Sequence, residues 1–309
     1  MGSFVAEHLL KGGAEVTIFE RQSHIEVKQQ NLGELWKKMK FFWGDMRSTR
    51  DCYQACLNQD WILHTAAAGH VPYSIEYPRE IWDNNANGTL NLLEAARARD
   101  IEKFININSS ESYGTVHRNP MGEEHGFYPR SPYGASKAAA ELLGYSYHCS
   151  YGMKFVGIRL FNIYGPRAVL YAVIPRFILF ALDNKPLPIA GDGKQKRDYI
   201  YVEDAARGIS MASANKKMNG EFVNLASGST ISIVELAKKI IKLTDSKSKI
   251  EYKEARPGEV PLLRADVSKA YKLFGWKPEI SFDEGLKRTI EWYKKNKAYL
   301  TPMSVSKSL

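Results

Sequence analysis

"KFININSS", residues 103–110, carries the pattern on which the fold depends: a short, mostly apolar run that ends in hydroxyl side chains. A helix-period segment, "NGTLNLLEAARARD" (87–100), precedes this run, and another, "ASKAAAELLGYSYHCS" (135–150), follows it. Short apolar strands separated by helices are typical of a parallel sheet covered on both faces, so we expect a doubly wound α/β fold. Further runs fit the same sheet: "AEVTIF" (14–19), "KFFWGD" (40–45), "DWILHTAA" (60–67) and "KFVGIRLFN" (154–162).

The alternation of strands and helices changes after residue 165, where prolines and a Gly-Asp-Gly turn interrupt the chain. Helical patterns return near 232–243 and 282–295. We therefore expect a smaller C-terminal lobe that folds against the sheet domain and leaves a cleft between them. The predicted division gives 1–163 and about 196–226 to the sheet domain, about 164–195 and 227–300 to the smaller lobe, and 301–309 to a polar tail.

Composition excludes several classes of protein. The 309 residues are 44% hydrophobic and 25% charged, and they contain neither an apolar run long enough for a membrane span nor a secretory signal, so we expect no membrane partner. Three cysteines without metal-type spacing predict reduced thiols in the cytoplasm and no metal site, with Cys52 and Cys56 as packing residues. The net charge of +9 is scattered over helix faces, which favours a small anionic substrate and no nucleic acid.

Tyr133 and Lys137 lie four residues apart at the start of a helix in "SPYGASKAAAELL", so both side chains project from one face. An ammonium group beside a phenol favours the phenolate, which predicts a lowered pKa for Tyr133 and a base that works near neutral pH. The same spacing recurs at Tyr293 and Lys297, which we interpret as a solvated helix end.

The strand in "NINSSESYGT" ends at Ser109, Ser110 and Glu111. Ligands of parallel sheets bind at the carboxyl ends of the strands, so these hydroxyls and this carboxylate are expected at a binding site. A hydroxyl there can hydrogen-bond a substrate alcohol while Tyr133 removes the proton of that alcohol.

Eight motifs in this order resemble the extended short-chain dehydrogenase/reductase family, in its NAD-dependent nucleotide-sugar epimerase and dehydratase branch. The resemblance runs from Gly2 to about Tyr293 and implies a Rossmann-like NAD-binding domain and a nucleotide-sugar-binding lobe. The motifs are "GDMRSTRD", "LHTAAAGHVPYSIEYP", "NNANGTLNLLEAA", "SSESYG", "SPYGASK", "RLFNIYGPR", "RDYIYVEDAARGI" and "RPGEV".

The resemblance implies an NAD cofactor. Glu20 matches the acidic residue that accepts hydrogen bonds from the adenosine ribose, and an acid there favours NAD over NADP because it repels a 2′-phosphate. Gly2 matches the last glycine of the phosphate-binding turn. The full set of cofactor-binding positions is Gly2, Glu20, Asp45, Met46, Ala66, Ala67, Asn85, Tyr133 and Lys137.

The substrate implied by the resemblance is a nucleoside-diphosphate sugar. Guanidinium groups bind phosphate oxygens in a bidentate manner, which suits Arg197 and Arg256 to the diphosphate, with Asn162 beside them. Glu259 matches an acid on the nucleotide ribose. The substrate-binding positions are Ser74, Ser110, Asn162, Arg197, Arg256 and Glu259.

The implied mechanism begins with Tyr133, which removes the proton of the sugar C4 hydroxyl while Ser109 hydrogen-bonds the same oxygen and Lys137 tunes the tyrosine. A 4-keto sugar results. An epimerase returns hydride to the other face of this sugar, whereas a 4,6-dehydratase also removes the C5 proton and expels the C6 hydroxyl. Glu111 occupies the position of the dehydratase acid/base, a position that UDP-glucuronate decarboxylases share. Epimerase, dehydratase and decarboxylase-like activities thus all stay open.

The amino end departs from the family pattern. Members begin with a strand and a glycine-rich turn, and here Gly2 alone remains of that turn, with about ten residues missing before it by the usual length of the fingerprint. We expect an apparently missing first strand to leave its two neighbours unpaired at their inner edges. A truncated, cofactor-free relative without catalysis is therefore the alternative to an enzyme.

Two helical segments, around 87–98 and 135–148, match the helices through which family members form dimers. The alanine-rich face of "ASKAAAELL" permits close approach of helices. We therefore expect a homodimer.

Overall fold

A computed structural model describes residues 1–23, 25–255 and 259–300. The first part of the chain alternates helices with strands, as the sequence predicts. In chain order these elements are α1 (Gly2–Lys11), β1 (Thr17–Glu20), α2 (Ile25–Leu32), β2 (Lys40–Trp43), α3 (Thr49–Ala55), β3 (Trp61–His64), α4 (Val71–Glu76), α5 (Pro78–Trp82), α6 (Gly88–Ala98), β4 (Lys103–Ser109), α7 (Pro132–Tyr151) and β5 (Lys154–Leu160).

The second part of the chain has shorter strands and longer connections. Two of its helices, at 233–244 and 282–300, lie where the sequence predicts helices. The elements are β6 (Asn162–Tyr164), α8 (Val173–Leu182), β7 (Leu187–Ala190), β8 (Lys196–Arg197), β9 (Tyr199–Tyr201), α9 (Val202–Ala214), β10 (Glu221–Leu225), β11 (Ile231–Ser232), α10 (Ile233–Thr244), β12 (Ile250–Lys253), β13 (Leu262–Leu263), α11 (Ser268–Phe274) and α12 (Phe282–Leu300).

The parallel sheet consists of two separate pieces. One has the strand order β10-β5-β4-β3, and the other pairs β1 with β2. His64 of β3 lies opposite Asn106 of β4, and Ser109 lies opposite Leu160 of β5. Among the described strands, β1 pairs with β2 and β3 pairs with β4, so the facing edges of β1 and β3 are not joined by a ladder. This is the arrangement expected at those edges.

Helices cover both faces of the larger piece, which confirms the doubly wound α/β prediction. Phe104 and Phe155 point to the face covered by α3, α6 and α7, where Leu93 is fully buried. Ile105 and Ile158 point to the opposite face and pack against α1 and α9. The strand residues alternate between the two sides as a sheet buried on both faces requires.

A second hydrophobic core is formed mainly by residues of α8, α10 and α12. Phe177 of α8, Leu236 of α10 and Tyr293 of α12 are buried in it. The helix α10 begins with a capping box, in which the Ser232 hydroxyl accepts from the Glu235 backbone and the Glu235 carboxylate accepts from the Ser232 backbone. The domain boundaries themselves stay a prediction.

Three smaller predictions meet the structure here. Cys52 and Cys56 are buried among apolar side chains, as expected. The interpretation of Tyr293 as part of a solvated helix end was wrong, because its ring is fully buried and its hydroxyl donates to the Ala168 carbonyl at 3.0 Å. None of the helices in the described residues combines the length and apolar character that a membrane crossing requires. The cytoplasmic location stays a prediction.

Candidate active site

The end of β4 presents the first group of candidate residues. Ser109 is still extended, and its hydroxyl accepts a hydrogen bond from the Glu111 backbone at 3.2 Å, which starts a short 3-10 turn over Ser110–Ser112. The Ser112 hydroxyl closes this turn by donating to the Ser109 carbonyl at 2.6 Å. The strand thus stops where its side chains become polar, at the carboxyl edge of the sheet.

The start of α7 presents the second group. The Ser131 hydroxyl caps the helix by accepting from the Gly134 backbone at 3.0 Å, and Pro132 occupies the first turn. A Cβ at Gly134 would lie 2.4 Å from the Glu111 carbonyl oxygen, so only glycine allows the helix to approach the 3-10 turn this closely. The approach brings Tyr133 next to Ser109.

The phenol of Tyr133 is hydrogen-bonded to the Ser109 hydroxyl. Burial raises the pKa of Tyr133 to about 12, and the nearby Glu111 carboxylate adds to the shift, whereas the Ser109 hydrogen bond opposes it. The lowered pKa expected from the sequence is therefore wrong for this state of the protein. The Lys137 ammonium does not offset burial, because it donates to the Ile107 carbonyl at 2.7 Å.

Lys137 is itself 3% exposed. Burial lowers its pKa to about 8, and the negative charge of Glu141, one turn further along α7, acts in the opposite direction. Desolvation therefore destabilises the charged form of Lys137, which lies one helical turn after Tyr133.

Glu111 is half-buried and faces the C-terminal lobe. Desolvation raises the pKa of its carboxyl, Arg197 lowers it, and Glu259 raises it. The same side chain also acts on Tyr133. A carboxyl group that lies between the tyrosine and Arg197, with a raised pKa, is suited to transfer protons in both directions.

Arg197 lies at the end of β8, where its guanidinium donates to the Val260 carbonyl at 2.7 Å and forms an ion pair with Glu259 at 3.3 Å. The Asn162 amide lies nearby and donates to the Asp198 carbonyl at 3.4 Å. Arg197, Glu259 and Asn162 are thus brought to the same side of the site as Glu111. The predicted Arg256 lies outside the described residues.

Other predicted cofactor residues lie at the same edge of the sheet, at the ends of the preceding strands. Glu20 ends β1, and its carboxylate accepts from the Arg21 backbone at 2.9 Å. Asp45 follows β2 and is paired with Arg47 at 2.6 Å, which lowers its pKa. Met46 is buried against Gly88 of α6.

The N-terminus of α1 reaches the end of β3. A Cβ built on Gly2 would lie 3.4 Å from the Thr65 hydroxyl, so this helix end adjoins Ala66 and Ala67. Both alanines are exposed, and they follow β3 two and three residues after the buried His64. Along this edge a helix N-terminus suits the phosphates of a dinucleotide, apolar surface suits its rings, and the Glu20 carboxylate suits its ribose. The residues present therefore fit NAD.

Asn85 connects this edge to α7. Its side-chain oxygen accepts from the Ala68 backbone at 2.8 Å, and its amide donates to the Ser136 hydroxyl at 2.9 Å and to the Ala68 carbonyl at 3.2 Å. The Asn85 side chain is 1% exposed and lies in a π-helical turn, Asp83–Asn87, which follows α5. It therefore holds the loop after β3 against the helix that carries Tyr133.

Two predicted substrate residues are not presented to the cleft. Ser74 is fully buried in α4, where its hydroxyl donates to the Val71 carbonyl at 2.6 Å. Ser110 is 3% exposed, because the 3-10 turn points it into the protein. Their direct contact with a substrate stays a prediction.

Sequence reasoning missed a set of buried polar residues behind the site. Asn108 is 3% exposed, and it precedes Ser109 directly. Glu141 and Arg159 form an ion pair at 2.6 Å. The sequence does contain a sign of this pair. Glu141 lies one helical turn after Lys137 and Arg159 lies inside an apolar strand, and an unpaired buried charge at either position is costly.

Comparisons with known proteins place the chain in a family. The profile of the GDP-mannose 4,6 dehydratase family matches residues 1–289. A UDP-glucuronate 4-epimerase from Thermodesulfobacterium geofontis is 36% identical, over 96% of this chain and 94% of the relative. A dTDP-glucose 4,6-dehydratase from Streptomyces venezuelae, solved with NAD and TYD bound, has a TM-score of 0.91 and 28% identity over 98% of this chain and 96% of its own.

A UDP-glucuronic acid 4-epimerase from Bacillus cereus, solved with UDP-glucuronic acid and NAD, has a TM-score of 0.90 and 30% identity, covering 95% of this chain and 96% of its own. The family is NAD-dependent. The parallel sheet, the positions of Tyr133 and Lys137 on α7 and the extent of these matches all indicate the same family. The chain therefore belongs to the GDP-mannose 4,6-dehydratase family, within the NAD-dependent nucleotide-sugar epimerases and dehydratases of the short-chain dehydrogenase/reductase type.

Proposed function

We propose that this protein is an NAD-dependent nucleotide-sugar 4,6-dehydratase that acts through a 4-keto sugar. The observation that carries the proposal is the position of Glu111, whose carboxyl group raises the pKa of Tyr133, is itself influenced by the charge of Arg197, and has a raised pKa. A 4-epimerase needs one acid/base at C4, whereas a dehydratase needs a second one at C5 and C6. Glu111 is that second group.

Tyr133 takes the proton of the sugar C4 hydroxyl, and Ser109 hydrogen-bonds the same oxygen. Gly2, Glu20, Asp45, Ala66, Ala67 and Lys137 would hold NAD, which would supply the hydride acceptor. The pKa of about 12 for Tyr133 must fall before the phenolate can form near neutral pH. The Lys137 ammonium is the nearby positive charge that can lower it, once it turns from the Ile107 carbonyl toward the tyrosine.

Glu111 then acts on the 4-keto sugar, in which the C5 proton is acidified by the adjacent carbonyl group. Its carboxylate takes this proton, the bond between C6 and its hydroxyl oxygen breaks, and the hydroxyl leaves with the proton from Glu111 as water. The hydride removed from C4 would then be returned to C6 and a proton to C5, so that the product is the substrate less one water and the cofactor ends in its oxidised form. One residue serves as base and acid in turn, which a raised pKa favours because neither form is too stable.

Arg197 supplies the charge that holds the diphosphate. The guanidinium is 12% exposed and is neutralised by Glu259 in this state. A diphosphate carries more negative charge than one carboxylate, so it competes for the same guanidinium, and Glu259 is then free to accept from the nucleotide ribose. Asn162 lies close enough to share the phosphate oxygens, and Arg256 is proposed to complete the grip.

UDP-glucuronate 4-epimerase is the second candidate, because the Thermodesulfobacterium relative is 36% identical over nearly the whole chain. Its substrate carries a carboxylate in place of the C6 hydroxymethyl group. If an ionised Glu111 and that carboxylate came within about 5 Å of each other, their repulsion at an effective dielectric constant of about 20 would be about 3 kcal/mol. The charge at Glu111 therefore favours a neutral sugar.

Incubation of the protein with NAD and a panel of UDP-, dTDP- and GDP-hexoses, followed by mass spectrometry, tests the proposal. Dehydration removes one water from the substrate, whereas epimerisation changes no mass. Glu111→Gln should stop water loss while C4 oxidation, followed as NADH absorbance, continues. Tyr133→Phe is the matched control and should stop both. Conversion of UDP-glucuronate without mass change, with Glu111→Gln still active, would replace the dehydratase by the epimerase.

We also propose that the protein forms a homodimer through α6 and α7. Leu142 and Tyr145 of α7 are exposed, and so are Trp82 at the end of α5 and Leu90 of α6. These helices pack against each other and present apolar side chains outward. A second copy of the chain that docks the same face would bury them in a four-helix contact.

A further inference from the structure

We propose that the buried ion pair of Glu141 and Arg159 positions Ser109 and Glu111 for the reaction, by fixing the chain on both sides of them. The inference rests on the proposed function, in which these two side chains act on the sugar. Glu141 and Arg159 are positioning residues, since they contact the catalytic segment only through other side chains.

The first connection runs through Asn108, the residue before Ser109. The side-chain NH2 group of Asn108 donates to one carboxylate oxygen of Glu141, and the side-chain oxygen of Asn108 (Oδ1) accepts from the Ser109 backbone N–H at 2.8 Å. Glu141 is 1% exposed and lies on α7, one turn after Lys137. The carboxylate therefore sets the orientation of the peptide that carries Ser109 relative to the helix that carries Tyr133.

The second connection runs through Tyr113, the residue at which the 3-10 turn ends. Arg159 donates to the other oxygen of Glu141 at 2.6 and 2.9 Å, and its remaining nitrogen donates to the Tyr113 hydroxyl at 2.9 Å. The Tyr113 hydroxyl donates in turn to the side-chain oxygen (Oδ1) of Asn224 at 2.7 Å. The chain after Glu111 is thus tied to the same ion pair as the chain before Ser109.

The guanidinium of Arg159 has no freedom to move within this network. It lies 5.0 Å from the centre of the Tyr113 ring and 4.8 Å from that of Phe127, and it also donates to the Glu123 carbonyl at 2.7 Å. A charge held on all sides by rings and acceptors is a rigid anchor. Ser109 and Glu111 therefore lie between two residues, Asn108 and Tyr113, each of which is hydrogen-bonded to one member of the ion pair.

Energetics distinguish this role from simple stabilisation. A buried ion pair loses most of its Coulomb attraction to desolvation, so its contribution to folding is small, whereas removing one partner leaves an uncompensated charge. Direct substitution of Glu141 or Arg159 would therefore mix unfolding with loss of positioning. Substituting the two connecting residues leaves the ion pair in place and tests the connections themselves.

Asn108→Ala removes the first connection, and Tyr113→Phe removes the second while keeping the ring over Arg159. For the NAD-loaded enzyme with its nucleotide sugar, we expect kcat to fall about 10- to 100-fold in Asn108→Ala and about 5-fold in Tyr113→Phe, on the scale of a misplaced reacting group. KM should change less than about 2-fold, because Arg197 holds the diphosphate outside this network. Equal losses in kcat and in substrate affinity, or an unchanged kcat in both variants, would overturn the proposal.

Hydrogen exchange provides a readout that does not depend on activity. In Tyr113→Phe the amides of Ser109 and Glu111 should exchange faster, although the substitution lies on the far side of the turn. Asp204→Asn is the matched control, because Asp204 is a buried acceptor for the Glu279 and Ile280 backbones, away from the site. It should lower the melting temperature with no change in kcat or in exchange at 109–111. A wild type that turns over no sugar would remove the proposed function, whereas unchanged exchange in both connecting variants would remove the positioning role.

Discussion

Replacing Lys137 by Met should make the protein more stable while it abolishes turnover. The Lys137 ammonium is buried, and its pKa falls from an ordinary value of 10.5 to about 8. Each pKa unit is equivalent to about 1.4 kcal/mol, so burial of the charged lysine costs the folded state about 3 kcal/mol near pH 6.5. Met removes this cost, but it also leaves the Ile107 carbonyl without its donor, which destabilises the folded state by about 1 kcal/mol. The expected net gain is about 2 kcal/mol.

The gain should depend on pH in a defined direction. Because the pKa of Lys137 is lower in the folded protein than in the unfolded chain, the wild type becomes more stable as pH rises from about 8 to 10.5. The advantage of Lys137→Met should therefore shrink by about 2 kcal/mol between pH 6.5 and pH 9.5. Below pH 8 the advantage should be nearly constant.

Urea unfolding of NAD-free protein at pH 6.5 and pH 9.5 measures both quantities. Tyr133→Phe is the control, because it also removes a catalytic side chain but its pKa of about 12 places its titration above this range. We expect the difference between Tyr133→Phe and the wild type to be the same at both pH values. A Lys137→Met variant that is less stable than the wild type, or whose advantage does not change with pH, would refute the assignment of a desolvated charge at Lys137.

Three further perturbations follow from the same structure. His64→Gln should gain stability relative to the wild type as pH falls, by about 2 kcal/mol at pH 5 in urea unfolding, because burial lowers the pKa of His64 to about 3 and protonation then favours the unfolded chain. Glu111→Gln should gain stability relative to the wild type as pH rises above 4.5, the ordinary pKa of the group, because a raised pKa makes ionisation of Glu111 destabilise the folded state; a constant difference in unfolding midpoint would contradict this. Leu142→Glu should convert a dimer into a monomer in sedimentation at micromolar protein, with Lys287→Glu on an exposed position of α12 as the unaffected control.

Most of the fold could be predicted from the sequence, because local patterns decide it. The run at 103–110 differs from the observed strand Lys103–Ser109 by one residue, and the segment 87–100 contains the helix Gly88–Ala98. Apolar runs of strand length predict strands, and helical periodicities predict helices, wherever the fold buries their apolar side chains. Tyr293 was misjudged for the opposite reason: nothing local shows that Ala168, far away along the chain, covers its hydroxyl.

The positions of the candidate residues could be predicted only where strand ends and helical spacing determine them. Ser109, Tyr133 and Glu111 follow from strand-end position and helical spacing, and the structure brings them together. The pKa of Tyr133 did not follow, because spacing places Lys137 on the same helix face but cannot show that its ammonium is bound to the Ile107 carbonyl.

The buried network behind the site was missed because each of its residues looks ordinary alone. Arg159 stands in an apolar strand and Glu141 in an alanine-rich helix, and only the packing of β5 against α7 makes them partners. Once they are paired, Glu141 and Arg159 hold the residues on both sides of Ser109 and Glu111, although neither charged side chain contacts that pair directly. A site of this type is sensitive to substitutions at its anchors as well as at its reactive groups, so a loss of kcat in Asn108→Ala with retained affinity is the result that separates positioning from chemistry.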